Sequence, residues 1–178
     1  MGAGLGGGSA DGAFMLRMLN EEYSLGLDNN ALAELALQLG SDCPFFIYNT
    51  PQFATGRGEV MKPVNIDLSG FSIQLICPKV HVSTAKAFSM LSPEPAPFSL
   101  VELEHIPVKD WKGKVANDFE APIFGQHPEL ESIKQQLYNN GAVYASMSGS
   151  GSTIYGLMPK RLRATVNANV ETDTYYIE

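Results

Sequence analysis

The chain has 178 residues, 44% of them hydrophobic and 17% charged, with a net charge of −7. That composition describes one globular domain or two small ones, and the negative charge argues against non-specific binding to nucleic acid or anionic membrane. No apolar run approaches the roughly 20 residues of a membrane helix, and the two cysteines, Cys43 and Cys77, form neither a metal spacing nor a disulfide framework, so they read as reduced thiols of a cytoplasmic protein.

The first line, Gly2-Ala3-Gly4-Leu5-Gly6-Gly7-Gly8-Ser9-Ala10-Asp11, has glycine at five of its first seven positions. Glycine lacks a Cβ, so its main chain takes positive φ and approaches a bulky anion closely. A helix is expected from about Ala10 to Asn20, with Ser9 as N-cap and Asp11 as a first-turn acid. A bare loop feeding a helix N-terminus leaves unpaired N–H groups, which attract phosphate even against a negative overall charge. The stretch therefore reads as a phosphate cradle, with a ligand-free glycine linker as the alternative. Two other templates fit poorly. The dinucleotide fingerprint matches Gly2, Gly4 and Gly7 but lacks its preceding strand, and the Walker pattern finds Gly8 where it needs lysine.

Asp28 is expected to cap a second helix, whose apolar face is Ala31, Leu32, Leu35, Ala36 and Leu39, with Gly40 as a C′ residue. Asp42 then precedes Cys43-Pro44 and a strand-like apolar run, Phe45-Phe46-Ile47. It is either a turn acid preparing Pro44 or a group with a chemical task. A turn around Gly56-Arg57-Gly58 leads to a short strand over residues 60–64, with Pro63 marking an edge. A domain boundary is placed at residues 64–69, dividing 1–64 from 65–178. Phe71-Ser72-Ile73-Gln74-Leu75-Ile76 alternates like a strand and ends at Cys77-Pro78. Ser83 or Thr84 caps a helix running to Phe88. Residues 92–97, with prolines at alternate positions, form a stiff connector. Trp111 is a core or rim anchor. Pro128 opens a helix that stops at Asn139-Asn140-Gly141. A strand over 142–146, a turn of small residues over 147–152 and a strand over 153–157 follow. Arg161 and Arg163 read as solvated, and residues 174–177 as a closing strand.

Several of these stretches resemble the galactokinase, homoserine kinase, mevalonate kinase and phosphomevalonate kinase (GHMP kinase) family. Gly4-Leu5-Gly6-Gly7-Gly8-Ser9-Ala10-Asp11 is similar to its central phosphate-binding motif. Gly40-Ser41-Asp42-Cys43-Pro44 is similar to a Gly-(Ala/Ser)-Asp-x-Pro segment, with Cys43 at a more often aliphatic position. Ala54-Thr55-Gly56-Arg57-Gly58-Glu59, Val82-Ser83-Thr84-Ala85 and Asn117-Asp118-Phe119-Glu120 resemble further family elements. Met147-Ser148-Gly149-Ser150-Gly151-Ser152 is similar to the third motif, with Ser152 in place of alanine. The motifs fall in family order and cover the chain to Met158.

The resemblance implies an α+β fold: a remnant of the GHMP-kinase nucleotide-binding domain, then a ferredoxin-like antiparallel-sheet C-terminal domain. It implies phosphoryl transfer from ATP to the hydroxyl of a small-molecule substrate, chemistry that calls for Mg2+, while the charge and the lack of a long apolar run leave neither a nucleic acid nor a membrane as an expected partner. The phosphates would be held along Met1, Gly2, Ala3, Gly4, Leu5, Gly6, Gly7, Gly8, Ser9, Ala10 and Asp11. Asp42 would accept the proton of the attacking hydroxyl, while Gly149, Ser150 and Gly151 shape the active site. No metal ligand is identified. In the family a lysine from an upstream strand stands beside the aspartate, and upstream residues hold most of the substrate. Neither is matched here. The expectation is a chain lacking the upstream part of the first domain, inactive or nearly so alone, and prone to self-association through the surface bared on its first two helices. The alternatives are another small-molecule kinase of the same type and a folded, non-enzymatic remnant.

Overall fold

Helical apolar spacing early in the chain and strand alternation later divide it into two units, each with its own buried cluster: Gly6–Ile66, and Gly2–Leu5 together with Asp67–Glu178. The computed structural model describes residues 2–92 and 98–178, so Met1 and most of the proline-rich connector lie outside the described residues.

In the first unit, helix α1 is Gly7–Glu22, α2 is Asn29–Leu39 and α3 is Cys43–Tyr48. They meet over Ala13, Leu32, Ala33, Ala36, Cys43 and Ile47. Asp28 caps α2 as expected, its carboxylate accepting from Ala31 N at 2.8 Å. The Asn20 side chain fixes the α1–α2 turn, donating to Leu27 O and accepting from Leu27 N, both at 3.0 Å. A hairpin follows, β1 (Gln52–Thr55) antiparallel to β2 (Val60–Pro63).

Three expectations are corrected in this unit. Helix α1 starts at Gly7, three residues before Ala10. Phe45-Phe46-Ile47 is helical rather than strand-like: Pro44 sits in the first turn of α3, where its missing N–H costs nothing and its φ is already right. Six apolar residues are too few for their period to separate the two states. Gly40 ends α2 in an extended conformation, φ 173° and ψ 153°, rather than left-handed.

In the second unit, β3 (Phe71–Pro78) alternates strictly, with Ser72, Gln74, Ile76 and Pro78 buried. Helices α4 (Thr84–Ser89), α5 (Glu120–Gln126) and α6 (Pro128–Asn139) lead to β4 (Tyr144–Met147), β5 (Ile154–Pro159) and β6 (Thr172–Ile177). The sheet order is β4-β5-β3-β6, antiparallel throughout, which is the ferredoxin-like order. Leu130, Ile133 and Leu137, spaced i, i+3, i+7 along α6, are fully buried with Ile76, Met147, Ile154 and Met158. Trp111 is indeed an anchor: its ring meets Tyr144 edge-on at 5.6 Å, and its Nε1 donates to Ile106 O.

A second crossover helix would normally join β5 to β6 in this order. Here residues 160–171 carry no helix, and two glutamines hold the segment instead. Buried Gln74 donates to Ala164 O and accepts from Ala164 N, both at 2.8 Å. Gln136 on α6 does the same for Asn167, at 3.1 and 2.8 Å. Each carboxamide thus stands in for one rung of a strand ladder, leaving no buried main-chain group of Ala164 unpaired.

Candidate phosphate-binding and catalytic residues

The candidate phosphate loop is built from glycines that do two different jobs. Gly6, left-handed at φ 65°, is the N-cap of α1, and its carbonyl accepts the first helical bond, from Ala10 N at 2.9 Å. Ser9 is therefore the third residue of the helix and not its cap, and Asp11 lies beyond the first turn. The left-handed glycine turns the chain directly into the helix, so no polar side chain is needed to start it. No side chain caps α1. By helix geometry the N–H groups of Gly7, Gly8 and Ser9 have no intrahelical partner.

Steric space separates the glycines. A Cβ on Gly4 (φ 74°) would lie 2.1 Å from Ser148 O, and one on Gly6 would lie 2.8 Å from the Phe46 ring. The fold itself requires glycine at both. Gly7 and Gly8 are helical and exposed, and a Cβ on either would meet nothing within 4 Å among the described residues. Glycine in a helix costs about 0.5–1 kcal/mol against alanine. Nothing within the described protein calls for glycine at these two positions.

Gly2–Leu5 are held by the turn between β4 and β5. Ser148 Oγ donates to Gly4 O at 2.7 Å, and Thr153 N donates to Ala3 O at 3.1 Å. The turn is fixed in its own right. Asn117 Nδ2 donates to Met147 O and to Gly149 O, both at 2.8 Å, while its Oδ1 accepts from Phe119 N. Glu120 accepts from Ser146 Oγ at 2.9 Å and from Met147 N at 2.8 Å, and it pairs with Lys134. Ser150 Oγ shares a hydrogen bond with Thr84 Oγ1 at 3.1 Å. The hydroxyl of Ser152, buried, points to Val80 O at 2.7 Å and Pro78 O at 3.1 Å, so serine fits there without an orphaned group. Ser83 caps α4, accepting from Lys86 N. Of the residues singled out from sequence, Gly2, Ala3, Gly4 and Leu5 thus come together with Gly149, Ser150 and Gly151. Asn117-Asp118-Phe119-Glu120 was legible as a family-like stretch, but the contacts of Asn117 and Glu120 were not, because they reach the Met147 and Gly149 main chain, Ser146 Oγ and Lys134, distant in sequence.

Asp42 occupies the N-cap position of α3 with helical φ and ψ, and its side chain makes no capping bond. It is exposed, with no hydrogen bond or ion pair among the described residues. Its place is nevertheless specific. Phe46, one turn along the same face of α3, lies against Gly6, the cap of α1. A Cβ on Gly58 (φ 106°) would come 3.5 Å from Asp42 Oδ1, so the hairpin turn lies beside the carboxylate. That turn is shaped by Glu59, which accepts from Arg57 N at 2.6 Å. Backbone N–H groups of Glu59 and Arg57 hold the Glu59 carboxyl below its ordinary value. Cys43 is buried as a small packing residue. Met1, the first of the expected phosphate contacts, lies outside the described residues. Among the described residues no three His, Cys, Asp or Glu side chains cluster as a metal site, and no helix is long and apolar enough to cross a membrane.

Comparison with known proteins gives concordant matches. The family profile described as GHMP kinases N terminal domain matches residues 1–50, and that described as GHMP kinases C terminal matches residues 108–172. The chain is 49% identical over 164 residues to a 4-diphosphocytidyl-2-C-methyl-D-erythritol kinase of Bacteroides fragilis, covering 92% of this chain and 60% of that protein. It is 51% identical over 156 residues to the Bacteroides thetaiotaomicron protein of the same name, covering 88% and 57%. It thus spans about three fifths of the length of these relatives. A crystal structure of 4-(cytidine 5'-diphospho)-2C-methyl-D-erythritol kinase superposes with a TM-score of 0.72 at 33% identity, over 88% of this chain and 57% of the other. Homoserine kinase from Cytophaga hutchinsonii superposes with a TM-score of 0.69 at 15% identity, over 100% and 66%, a likeness of fold.

Proposed function

This chain belongs to the GHMP kinase family, and on that premise we propose that its glycine loop and the N-terminus of α1 hold the phosphates of ATP for transfer to an alcohol. The observation that carries the reading is the pair Gly7 and Gly8. Both are helical, both are unneeded by the protein's own packing, and both lie where free N–H groups converge. A ligand that must touch bare main chain accounts for them.

Catalysis in such a site is positioning plus stabilisation of charge on the transferring group. The N–H groups from Gly4 to Ser9 hold the β- and γ-phosphates. Asp42, a carboxylate not engaged in capping, accepts the proton of the attacking hydroxyl from about 3 Å in the complex. Gly149, Ser150 and Gly151 belong to the turn that holds Gly2–Leu5 in place. The chemistry Mg2+ would supply here is neutralisation of phosphate charge. Such an ion takes few protein ligands and several waters, and the Ser9 hydroxyl would be the candidate ligand.

The acceptor we propose is the 2-hydroxyl of 4-diphosphocytidyl-2-C-methyl-D-erythritol, a step of non-mevalonate isoprenoid synthesis in the cytoplasm. The names of relatives at 49% and 51% identity support this over a homoserine-type substrate. By the family resemblance, the lysine and most of the substrate contacts would fall in the portion of the relatives that this chain does not span. The 178 residues alone therefore turn over little or no substrate. Phe14, Met15, Met18 and Leu19, exposed on one side of α1, favour self-association of the chain taken alone.

A coupled ADP-release assay tests the reading. The chain alone is expected to be silent. The same chain extended at its N-terminus to the relatives' full length is expected to phosphorylate this acceptor in preference to homoserine or mevalonate. Asp42→Asn in the extended protein abolishes turnover. Full activity of the 178 residues alone, or an unaffected Asp42→Asn variant, contradicts the proposal.

A further inference from the structure

We infer that Asn117 and Glu120 are positioning residues for the phosphate loop, acting through the turn at residues 147–152. Neither touches Gly2–Leu5. Asn117 spends both donors of its carboxamide on two carbonyls of the turn, Met147 O and Gly149 O, which fixes the shape of its first half. Its remaining acceptor takes Phe119 N, so the side chain has no free rotamer to relax into. Glu120 holds the strand end that feeds the turn, through Ser146 Oγ and Met147 N, and Lys134 balances its charge. The turn so fixed presents two groups to the loop. Ser148 Oγ grips Gly4 O, and Thr153 N grips Ala3 O. Gly4 and Gly149 approach so closely that a Cβ on Gly149 would lie 3.2 Å from Gly4 O. A shift of the turn by a fraction of an ångström is therefore passed to the loop, because close-packed groups move together rather than yield.

The consequence for nucleotide binding rests on the phosphate-loop reading, whereas the mechanical link does not, and the test separates the two. Asn117→Asp keeps the volume but replaces the doubly donating Nδ2 with a carboxylate oxygen facing two carbonyls. Ser148→Ala cuts only the grip on Gly4. The readout is amide hydrogen exchange in the 178-residue chain at Thr153 (bonded to Ala3 O) and Gly151 (bonded to Ser148 O), with Val143 (bonded to Leu157 O) as control.

In Asn117→Asp, Thr153 and Gly151 are expected to exchange about tenfold faster or more, with Val143 changed less than about twofold. In Ser148→Ala, Thr153 speeds up and Gly151 does not. Equal acceleration at all three amides, or none at Thr153, overturns the inference. The dissociation constant for ADP is expected to rise about tenfold in both variants, a loss of about 1.4 kcal/mol of binding. Faster exchange with unchanged ADP affinity also overturns the inference. A wild-type chain that binds no ADP overturns the nucleotide reading, while the exchange pattern still decides the mechanical link.

Discussion

The hydroxyl of Ser148 donates to the carbonyl oxygen of Gly4 at 2.7 Å, across 144 residues of sequence. The contact is available only to glycine, because a Cβ on Gly4 would lie 2.1 Å from Ser148 O and the residue's φ is 74°. Gly4→Ala is expected to destabilise the second unit by about 2 kcal/mol or more. Urea denaturation followed by the fluorescence of Trp111, the chain's single tryptophan, reads this directly.

The opposite sign is expected three residues later. Gly7→Ala and Gly8→Ala introduce a better helix former into open space, and each should stabilise the chain by about 0.5–1 kcal/mol. Each should at the same time weaken ATP binding, because the new methyl group would stand where the proposed function brings the phosphates. Thermal melts by circular dichroism, with and without nucleotide, test both halves. A variant that is less stable, or that binds ATP as well as the parent, contradicts the account.

Asp42→Asn separates a chemical role from a structural one. The carboxylate caps nothing, so stability should change by less than about 0.5 kcal/mol. A loss of about 1 kcal/mol, the ordinary effect of deleting an N-cap, would return Asp42 to a turn-forming role.

Gln74→Leu should be far more costly than its shape suggests. It leaves the buried N–H and C=O of Ala164 without partners, each unsatisfied group costing about 1–3 kcal/mol. Gln136→Ala, where the partner segment is exposed, should cost much less. The Trp111 unfolding transition distinguishes the two.

Much of this was legible in the sequence because local chemistry decided it. Asp28 caps α2, β3 alternates, and Pro128 opens α6 for reasons contained within a few residues. The glycine-rich stretch was legible as a loop feeding a helix, yet the helix start was misplaced at Ser9, because a left-handed glycine can begin a helix without a polar cap. Phe45-Phe46-Ile47 failed for a different reason: the run is too short for its period to be read, and Pro44 fits the first turn of a helix. Gln74 and Gln136 could not be assigned at all, and Asn117 and Glu120 were legible only as part of a family-like stretch, Asn117-Asp118-Phe119-Glu120, without their partners. Their partners, main-chain atoms and for Glu120 also Ser146 Oγ and Lys134, are brought near only by the completed fold, so no local pattern announces the contacts.

The acid limb of the stability profile should carry a contribution from Glu59. Its carboxyl sits below the ordinary value because backbone N–H groups of Glu59 and Arg57 donate to it. The stability it adds is present above the unfolded value of roughly 4.3 and is lost as pH falls through the lowered folded value. Carboxyl carbon shifts should show Glu59 titrating below the ordinary glutamate value, and Glu59→Gln should flatten the acid limb of the hairpin.

The central claim is that bare main chain at the start of α1 binds a triphosphate. Amide shifts of the 15N-labelled chain, followed while ATP is titrated into the millimolar range, test it most directly. Saturable shifts at Gly4, Gly6, Gly7, Gly8 and Ser9 are the predicted result. Shifts that appear elsewhere while these five amides stay still would contradict it.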